Sequence, residues 1–472
     1  MKKDILLTVI LCIGFFLRFY NLPQTMTFIG DQGWFYLSAR DILLTGNIPL
    51  VGIASSHPWL HQGPLWTYIL ALIFWIFKFN PVAPAYFTAI LGVLTVWLMY
   101  KVGSELFSKK VGLIAAALYA TSPLIVVHSR MPYHTSPIPF FTLLFIYALY
   151  KWIKGNPNFF PFVILFLSIL YNLELFTAVL WLVVIIVLIF GVLKKKMWLL
   201  RILNRKILFL STLFFIIPMI PILIYDTQNG FPQTVKFIAW IGYRTLNFFG
   251  FPSIHANVVS ENLNLSIITS VSYIKQLIFL PNETIALFIF ILSFGFFFTK
   301  LYCNRKKGDV AYIILGLTLI ISFLGYFVNK IPSGAYIPVF FPLIIFLIAL
   351  FFENLIKFRF SKIPSLLTLL ILAFILFFNV YSLISQNYLA KKRYSFVDRL
   401  NASKQIVKIA NGRSYNVIGK GEGSQFKSFT MNYEYLAWWL GEGESEKKEN
   451  LRFVIKETSS GIIITKHETN SK

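Results

Sequence analysis

The sequence contains little charge. Asp, Glu, Lys and Arg make up 13% of its 472 residues, about half of the share that is usual in soluble domains. Hydrophobic residues make up 57%, and the mean hydropathy is +0.70. A soluble fold would leave much of that apolar surface in contact with water. The composition therefore excludes an ordinary soluble enzyme and predicts an integral membrane protein.

Acidic residues and cysteines are scarcer still. There are 19 acidic residues against 43 Lys and Arg, which gives a formal net charge of +24. Most basic residues fall in short loops between apolar runs, which is typical of cytoplasmic loops rather than of a nucleic-acid-binding face. The only cysteines, Cys12 and Cys303, lie in or beside apolar runs. We therefore expect no nucleic-acid partner, no disulfide framework and no cysteine metal site.

Twelve apolar runs are candidate membrane helices, since a crossing needs about 20 apolar residues. The runs are Ile5–Tyr20, Gly63–Phe77, Ala83–Tyr100, Val111–Val127, Pro139–Tyr150, Phe160–Tyr171, Leu175–Leu193, Ile207–Tyr225, Thr284–Leu301, Val310–Val328, Tyr336–Phe352 and Pro364–Ile384. No small-x-small cleavage site follows the first run, so we interpret it as a retained helix rather than a signal peptide.

Five basic loops set the expected topology. They lie at residues 101–110, 151–154, 194–206, 305–307 and 357–362. All five are cytoplasmic, together with Lys2 and Lys3, only if Gly63–Phe77 dips into the outer leaflet as a re-entrant or interfacial helix. The sequence therefore predicts about eleven crossings in a multi-pass cell-membrane protein, with the N-terminus cytoplasmic and the C-terminus outside.

The composition becomes that of a soluble domain near Asn387. Ser395–Ala410 and Tyr433–Leu440 have the pattern of helices, and Tyr415–Ile418 and Phe453–Ile455 that of strands. We expect an all-α transmembrane domain at residues 1–385, whose first outer loop at 21–82 carries interfacial helices. A small extracytoplasmic α/β domain is expected at 386–472. No internal repeat is visible.

The first outer loop holds the first candidate site residues. Asp31 precedes the amphipathic run Trp34–Leu44, where a helix dipole stabilises a carboxylate. Either a catalytic carboxylate or a simple N-cap fits that position. His57 and His61 lie four residues apart before an apolar run. Phosphate binding, acceptor positioning and metal ligation would each use such histidines. The alternative, which we favour, is that they are only polar residues of Pro- and Gly-rich turns at the membrane interface.

Other candidates lie in later outer turns. Arg130 directly follows an apolar span, where its planar donor fork suits a phosphate and snorkelling at a helix end is the alternative. His134 lies in the same turn. Glu174 lies in a turn between two short apolar runs, where we expect it either near Asp31 or facing water. Lys330 and Tyr336 flank a turn that could hold a lipid phosphate or a sugar.

The order of several loose motifs resembles a known family, the GT-C membrane glycosyltransferases, in the protein O-mannosyltransferase and aminoarabinose transferase branch. The resemblance covers roughly Met1–Ile384. The motifs are Asp31 before Tyr36 and Ala39-Arg40, Thr45-Gly46-Asn47-Ile48-Pro49, His61-Gln62-Gly63-Pro64-Leu65-Trp66, the Ala115–Ala120 span with Ser122-Pro123 and Ser129-Arg130, and the turn Pro332-Ser333-Gly334-Ala335-Tyr336. The sequence departs from the family pattern at four points. Gln32 replaces a frequent Glu, Gly63 replaces a Pro, His134 replaces an acid, and the basic residue often found before the Pro pair is absent unless His61 substitutes for it.

The resemblance implies an inverting transfer of a hexosyl or pentosyl unit on the outer face of the membrane. The donor would be a polyprenyl-phosphate-linked sugar, and the acceptor a hydroxyl of a lipid, glycan or protein. Asp31 would be the general base. Arg130, with His61 or Lys330, would stabilise the departing phosphate. The departures leave open the acceptor type and the use of a divalent metal, which is the one candidate cofactor.

Two other classes of function stay open at this stage. A transporter or flippase for lipid-linked glycans would show an inverted repeat, broken helices and charges at the membrane midplane. A catalytically silent scaffold would show no acidic residue facing a cavity. P-loop, HExxH, GxSxG and GxGxxG contexts are missing from the sequence, which disfavours ATP-driven and soluble hydrolase functions.

Overall fold

The computed structural model describes residues 2–55, 59–251, 262–304, 309–357, 362–385, 388, 394–441, 443–445 and 447–468. The α-helices in these residues are α1 Lys2–Phe19, α2 Leu22–Thr25, α3 Gly30–Thr45, α4 Leu65–Phe77, α5 Ala83–Leu106, α6 Lys109–Thr121, α7 Pro123–Ser129, α8 Ile138–Ile153, α9 Phe160–Leu173, α10 Val179–Leu193, α11 Met197–Leu200, α12 Arg205–Asn229, α13 Pro232–Phe248, α14 Leu263–Leu277, α15 Glu283–Asn304, α16 Val310–Asn329, α17 Phe340–Ile356, α18 Lys362–Ile384, α19 Phe396–Ala410 and α20 Met431–Trp439. The strands are β1 Asn416–Lys420, β2 Leu451–Thr458 and β3 Gly461–Glu468.

The apolar helices confirm a multi-pass membrane protein. Among the described residues, seven segments are long and apolar enough to cross a membrane: α5, α12, α15, α16 and α18, and α10 and α17 with the short 3-10 turns before them. α6 and α7 form an eighth, bent by 68° where Pro123 lacks a main-chain N–H. The shorter apolar helices α1, α8 and α9 would bring the total to the eleven crossings that we expect, and that total stays a prediction.

Helix α4 corresponds to the apolar run Gly63–Phe77, which the placement of basic residues predicts to enter the membrane without crossing it. Its 13 residues span about 20 Å, against about 30 Å of hydrocarbon. Just before α4, Gln62 hydrogen-bonds Glu174. Just after it, the Phe79 carbonyl accepts a hydrogen bond of 2.7 Å from Tyr435 of the C-terminal domain. Both flanks thus contact elements at the same end of the helical bundle, which supports a dip rather than a crossing.

The basic loops at 101–110, 151–154 and 194–206 lie together at the opposite end of the bundle, beside the end of α17 that precedes the loop at 357–362. Residues 358–361 of that loop lie outside the described residues. The contacts that join them are an ion pair from Lys151 to Glu105, a 3.0 Å hydrogen bond from Arg201 to the Gly155 carbonyl, and a 2.9 Å hydrogen bond from Ser108 to Glu353. The loop at 305–307 lies outside the described residues. One common end is what a cytoplasmic location of these loops requires, and the orientation in the membrane stays a prediction.

The C-terminal segment forms the small α/β unit that its pattern predicts. β2 pairs with β1 in parallel and with β3 antiparallel, and α19 and α20 cover the sheet. Ile406, Tyr433 and Phe453 lie in the core between helices and sheet. The two helices and the first two strands were expected. The edge strand β3 was not, because beyond Ile464 its residues are polar on both faces.

This C-terminal unit packs closely on α3. The Asn432 side chain donates to the Phe28 carbonyl at 2.8 Å, and the Phe396 main-chain N–H donates to the Met26 carbonyl at 2.9 Å. A Cβ at Gly33 would overlap the main chain of Asn432, so the close approach requires glycine there. The unit is therefore fixed against the first loop, and the proposed boundary at residue 385 does not mark a flexible separation.

Candidate active site

Asp31 lies in the first turn of α3, and Ile29 occupies the N-cap position. The Gln32 side chain reaches back and accepts a hydrogen bond from the Ile29 N–H at 2.6 Å. The Asp31 carboxylate does not cap the helix, yet it lies where the macrodipole favours a negative charge. The interpretation of Asp31 as a simple N-cap is therefore wrong, and its carboxylate is directed to other partners.

Those partners come from two distant parts of the chain. The Tyr133 hydroxyl donates to Asp31 Oδ2 at 3.0 Å, and the Ser428 hydroxyl donates to Oδ1 at 2.6 Å. Tyr133 comes from the turn between α7 and α8, and Ser428 from the C-terminal unit just before α20. Asp31 itself is only half-buried. Its carboxylate is thus oriented by two hydroxyl donors and still reaches solvent.

Tyr133 is held as a neutral donor. Its burial, and then the neighbouring Asp31 carboxylate, raise the pKa of Tyr133 well above its ordinary value, and Glu174 contributes in the same direction. A phenol in this environment keeps its proton at any physiological pH. Tyr133 can therefore donate its proton to the hydrogen bond with Asp31 throughout that pH range.

Glu174 forms a second, buried carboxylate cluster beside the first. Gln62 Nε2 lies 3.2 Å from both carboxylate oxygens, and His134 Nε2 lies 3.2 Å from Oε2. The His134 ring packs on Tyr133 with centroids 4.1 Å apart, so the two carboxylates are linked by Tyr133 and His134. The alternative that Glu174 faces water is wrong. Among the described residues, nothing hydrogen-bonds the buried His134 Nδ1.

A chain of hydrogen bonds from α13 positions this cluster. Asp226, at the end of α12, accepts from the Gln233 N–H at 2.7 Å and so caps the start of α13. The Gln233 side chain in turn binds both the carbonyl and the N–H of His61. The next residue, Gln62, binds Glu174. Because the cap, the loop and the carboxylate are coupled, α13 fixes the loop at 59–62 against the site.

Arg130 lies at the end of α1 rather than in the carboxylate cluster. Its Nη1 donates to the carbonyls of Leu17, Arg18 and Tyr20 at 2.8, 3.2 and 2.9 Å, and its Nη2 to the Thr25 hydroxyl. The last carbonyls of a helix have no partner within the helix, and Arg130 supplies one. These contacts favour a structural role, so we do not assign the phosphate to Arg130.

Arg18, which the sequence analysis did not single out, is fully buried beside Arg130. Its guanidinium donates to the Gly14 carbonyl and, at 3.1 and 3.3 Å, to the carbonyls of Ala120 and Tyr119 at the end of α6. The residue thus ties α1 to the bend between α6 and α7. Arg130 therefore fixes the end of α1, and Arg18 fixes the end of α6 beside it.

An apolar groove of about 470 Å³ opens beside the site, between α10, α13 and α16. Its wall begins at Leu175 and Phe176, directly after Glu174. Leu182, Ile185, Ile241 and Leu324 line it and also face outward from the bundle, so the groove is open to lipid.

Polar groups gather at one part of that groove. The Arg244 side chain is buried in the wall. Asn329 is also buried there, and within the described residues neither its Oδ1 nor its Nδ2 has a hydrogen-bond partner. An apolar groove with a buried guanidinium and an amide suits an elongated lipid with a phosphate head. Neither Arg244 nor Asn329 belongs to the sequence motifs described above.

The remaining predicted residues are Tyr336, Lys330, His61 and His57. Tyr336 stacks on Phe176 at 4.7 Å between ring centroids. Lys330 Nζ donates to the carbonyl and the side-chain oxygen of Asn247 at 2.8 and 3.1 Å. Burial, and then the charge of Lys236, lower the pKa of His61, so the ring is neutral near pH 7. His57 lies outside the described residues.

The donor set for a divalent metal is not assembled in this site. Within the part of the chain that the structure describes, no three His, Cys, Asp or Glu side chains converge so as to hold an ion. Asp31 accepts from Tyr133 and Ser428, Glu174 is bound by Gln62 and His134, and Tyr133 and His134 lie between the two carboxylates. The described residues therefore do not fit a metal centre, and the reaction proposed for this site uses none.

Comparison with known proteins places this geometry in a recognised fold. A family model described as dolichyl-phosphate-mannose-protein mannosyltransferase matches residues 56–225. An uncharacterised protein of Aquifex aeolicus is 26% identical over 160 residues, which are 34% of this chain and 31% of that protein. The chain thus matches only about a third of the length of this relative.

Solved structures match nearly the whole chain at low identity. The Archaeoglobus fulgidus oligosaccharyltransferase AglB, in complex with an inhibitory peptide and a dolichol-phosphate, is 14% identical with a TM-score of 0.59, over 93% of this chain and 64% of that one. ArnT of Cupriavidus metallidurans, bound to undecaprenyl phosphate, is 10% identical with a TM-score of 0.62, over 96% and 92%. An A. fulgidus oligosaccharyltransferase complex with Zn and sulfate is 16% identical with a TM-score of 0.57, over 92% and 61%.

These matches confirm the resemblance to the GT-C glycosyltransferases and the GT-C type of fold. At such identities the structures show the fold alone. Tyr133, Ser428 and Gln62 are the site residues that the sequence analysis missed. Tyr133 and Gln62 stand next to residues that it named, whereas no sequence signal pointed to Ser428.

Proposed function

We propose that this protein transfers a sugar from a polyprenyl-phosphate carrier to an acceptor hydroxyl on the outer face of the membrane. The observation that carries the proposal is the Asp31 carboxylate, half-buried at the end of the bundle opposite the basic loops and oriented by Tyr133 and Ser428. A general base needs this kind of orientation and access to solvent or substrate. The GT-C fold and the family match in residues 56–225 support the same conclusion.

The groove between α10, α13 and α16 is the proposed donor site. The isoprenoid chain would lie against its apolar wall, which is open to lipid at Leu182 and Leu324. Arg244 and Asn329 would bind the phosphate, because a guanidinium and an amide offer donors to phosphate oxygens. The wall passes through Leu175 next to Glu174, so a phosphate-linked sugar in the groove would point toward the two carboxylates.

The reaction would be a single displacement. The acceptor hydroxyl gives its proton to Asp31 as its oxygen forms a bond to the anomeric carbon of the sugar. The bond between that carbon and the phosphate oxygen breaks, and the polyprenyl phosphate leaves with the electron pair. Attack on the face opposite the leaving group inverts the anomeric configuration. Glu174 and His134 would hold the sugar hydroxyls, since the buried His134 Nδ1 faces no described protein partner.

The test is consumption of polyprenyl-phosphate-linked sugars by the purified full-length protein in lipid nanodiscs. Removing a general base costs about 10²–10⁴ in rate, so Asp31→Asn should lose transfer by at least a hundredfold. Asp309→Asn is the matched control. The Asp309 carboxylate caps the N-terminus of α16, and asparagine caps a helix about equally well.

The two variants and the product together decide the proposal. Asp309→Asn should keep wild-type turnover, and both variants should melt within a few degrees of the wild type. Transfer that stays near wild type in Asp31→Asn would remove this residue from the base role. Movement of an intact sugar-lipid across the bilayer, with no transfer of the sugar, would instead show a flippase.

A further inference from the structure

A second, polar groove lies between α3 and the C-terminal unit. It encloses about 740 Å³ and is separate from the apolar donor groove. The α3 side contributes Trp34, Ser38 and Asp41, and the C-terminal side contributes Lys427 and Trp438. Nothing in the proposed chemistry of the carboxylate cluster uses this groove.

The groove leads to the proposed base. Asp31, Trp34, Ser38 and Asp41 are spaced three, four and three residues apart, so they lie along one face of α3. Ten residues of helix measure about 15 Å, which is longer than a single sugar ring. At the near end, Ser428 donates to Asp31 and directly follows Lys427 of the groove wall. Asp31 and Ser428 do not line the groove, but each adjoins one of its walls, so one end of a molecule in the groove would approach the Asp31 carboxylate.

Two indole rings, each paired with a cation, flank the groove. Lys427 Nζ lies 5.8 Å from the Trp34 ring centroid, and Arg40 Cζ lies 5.0 Å from the Trp438 ring centroid. Both tryptophans are half-buried, so each ring also presents surface to the groove. The C–H faces of sugar rings are apolar and pack on such surfaces, while charged groups beside the rings bind the sugar hydroxyls.

The charges of the lining nearly balance. Arg40 and Lys427 are cationic, and Asp41, Glu434 and Glu444 are acidic. Burial raises the pKa of Glu434, and it raises that of Glu444 to about 7, which weakens the negative side further. A lining of mixed sign gives no net attraction to an ionic ligand. It offers both donors and acceptors, which suits an uncharged molecule rich in hydroxyls.

A peptide fits these walls less well. An extended peptide binds through an exposed strand edge, and a helical one through an apolar groove. Both long walls here are helices, α3 and α20, whose main-chain groups are bonded within the helix. Charged side chains and indoles alternate along them, so neither mode of peptide binding is provided.

We propose that the groove formed by Trp34, Ser38, Arg40, Asp41, Lys427 and Trp438 binds an uncharged oligosaccharide as the acceptor. The proposal rests on the proposed function, because it names the acceptor class of the same transfer. The C-terminal unit then has two tasks: Ser428 orients the base, and Lys427 and Trp438 complete the acceptor groove.

The test is retention of the full-length protein in nanodiscs on an array. The array carries uncharged oligosaccharides of glucose, galactose and mannose, sialylated oligosaccharides, and peptides rich in Ser and Thr. We expect retention on uncharged oligosaccharides. Trp34→Ala should weaken it at least tenfold, and Ser38→Phe, which fills the groove without removing a ring, should do the same. Trp439→Ala is the matched control, since Trp439 follows Trp438 but is exposed outside the groove.

Three results would overturn the inference. One is retention on peptides or on sialylated oligosaccharides alone, another is retention on no ligand of the array, and the third is retention on uncharged oligosaccharides that survives both groove variants. Because binding is measured without turnover, it separates the two proposals. Binding of uncharged oligosaccharides without donor consumption would support the acceptor groove and contradict the proposed sugar transfer. Transfer of the sugar to peptides would support the proposed sugar transfer and contradict the acceptor groove.

Discussion

Replacing Arg130 by alanine tests the contacts that the structure gives this residue. Arg130 donates to the carbonyls of Leu17, Arg18 and Tyr20 at the end of α1. Leu17 and Arg18 are almost fully buried, whereas Tyr20 is exposed and its carbonyl can be hydrated after the change. Two buried carbonyls would lose a donor, and each such group costs about 1–3 kcal/mol. The expected loss of stability is therefore about 2–6 kcal/mol.

Thermal melting of the purified protein, followed by intrinsic fluorescence, measures this loss. Arg413→Ala is the control of the same type, because Arg413 is an exposed arginine that makes an ion pair with Glu468 at 2.8 Å and a single hydrogen bond of 3.3 Å to the Ala410 carbonyl. A pair this exposed is screened by water and salt and contributes little to stability. We expect a melting temperature several degrees lower for Arg130→Ala and almost unchanged for Arg413→Ala.

A titration with polyprenyl phosphate completes the comparison. Arg244→Ala should weaken binding of the lipid at least tenfold, because Arg244 lies in the wall of the apolar groove. Arg130→Ala, measured below its melting temperature, should bind within about twofold of the wild type. An Arg130→Ala protein that melts like the wild type but loses lipid binding would refute the reasoning and restore Arg130 as the phosphate ligand.

Two further expectations concern Ser428 and His61. Ser428→Ala should lower the transfer rate about tenfold, since a hydrogen bond to a charged group contributes about 1.5–3 kcal/mol. An unchanged rate would show that the C-terminal unit does not orient Asp31. Because the pKa of His61 is lowered in the folded protein, this side chain binds a proton at a higher pH in the unfolded chain than in the folded one. His61 therefore costs stability below about pH 6.5, and His61→Gln should lose less melting temperature than the wild type between pH 7 and 5.5. An equal loss in both proteins would contradict this sign.

Charge placement explains why the sequence could predict the fate of Gly63–Phe77. The run is as apolar as the crossings, so composition alone would count it among them. The basic loops share one side only if it does not cross, and the structure brings both flanks of α4 to one end of the bundle. The sequence allows this prediction because the distribution of Lys and Arg along the chain can be read without knowledge of contacts.

Arg130 shows where the same reasoning fails. A buried arginine at a membrane edge needs partners, and the sequence cannot tell a ligand phosphate from the carbonyls of a helix that begins more than a hundred residues earlier. Its partners are main-chain groups, which have no signature in the sequence. The same holds for Arg18 and the end of α6.

The sequence by itself determined that the protein lies in a membrane and that most of its helices are apolar. It also indicated a C-terminal unit of soluble composition and singled out Asp31 as a candidate catalytic residue. Apolar content, periodicity and charge placement are properties of the linear sequence, so they can be read without a fold. Only the tertiary structure decided which groups meet. Ser428 lies 397 residues beyond Asp31 and still donates to it, and Glu174 reaches the same site through Gln62 and His134. Such contacts depend on how helices pack, and packing follows from side-chain shapes over the whole chain rather than from any single segment.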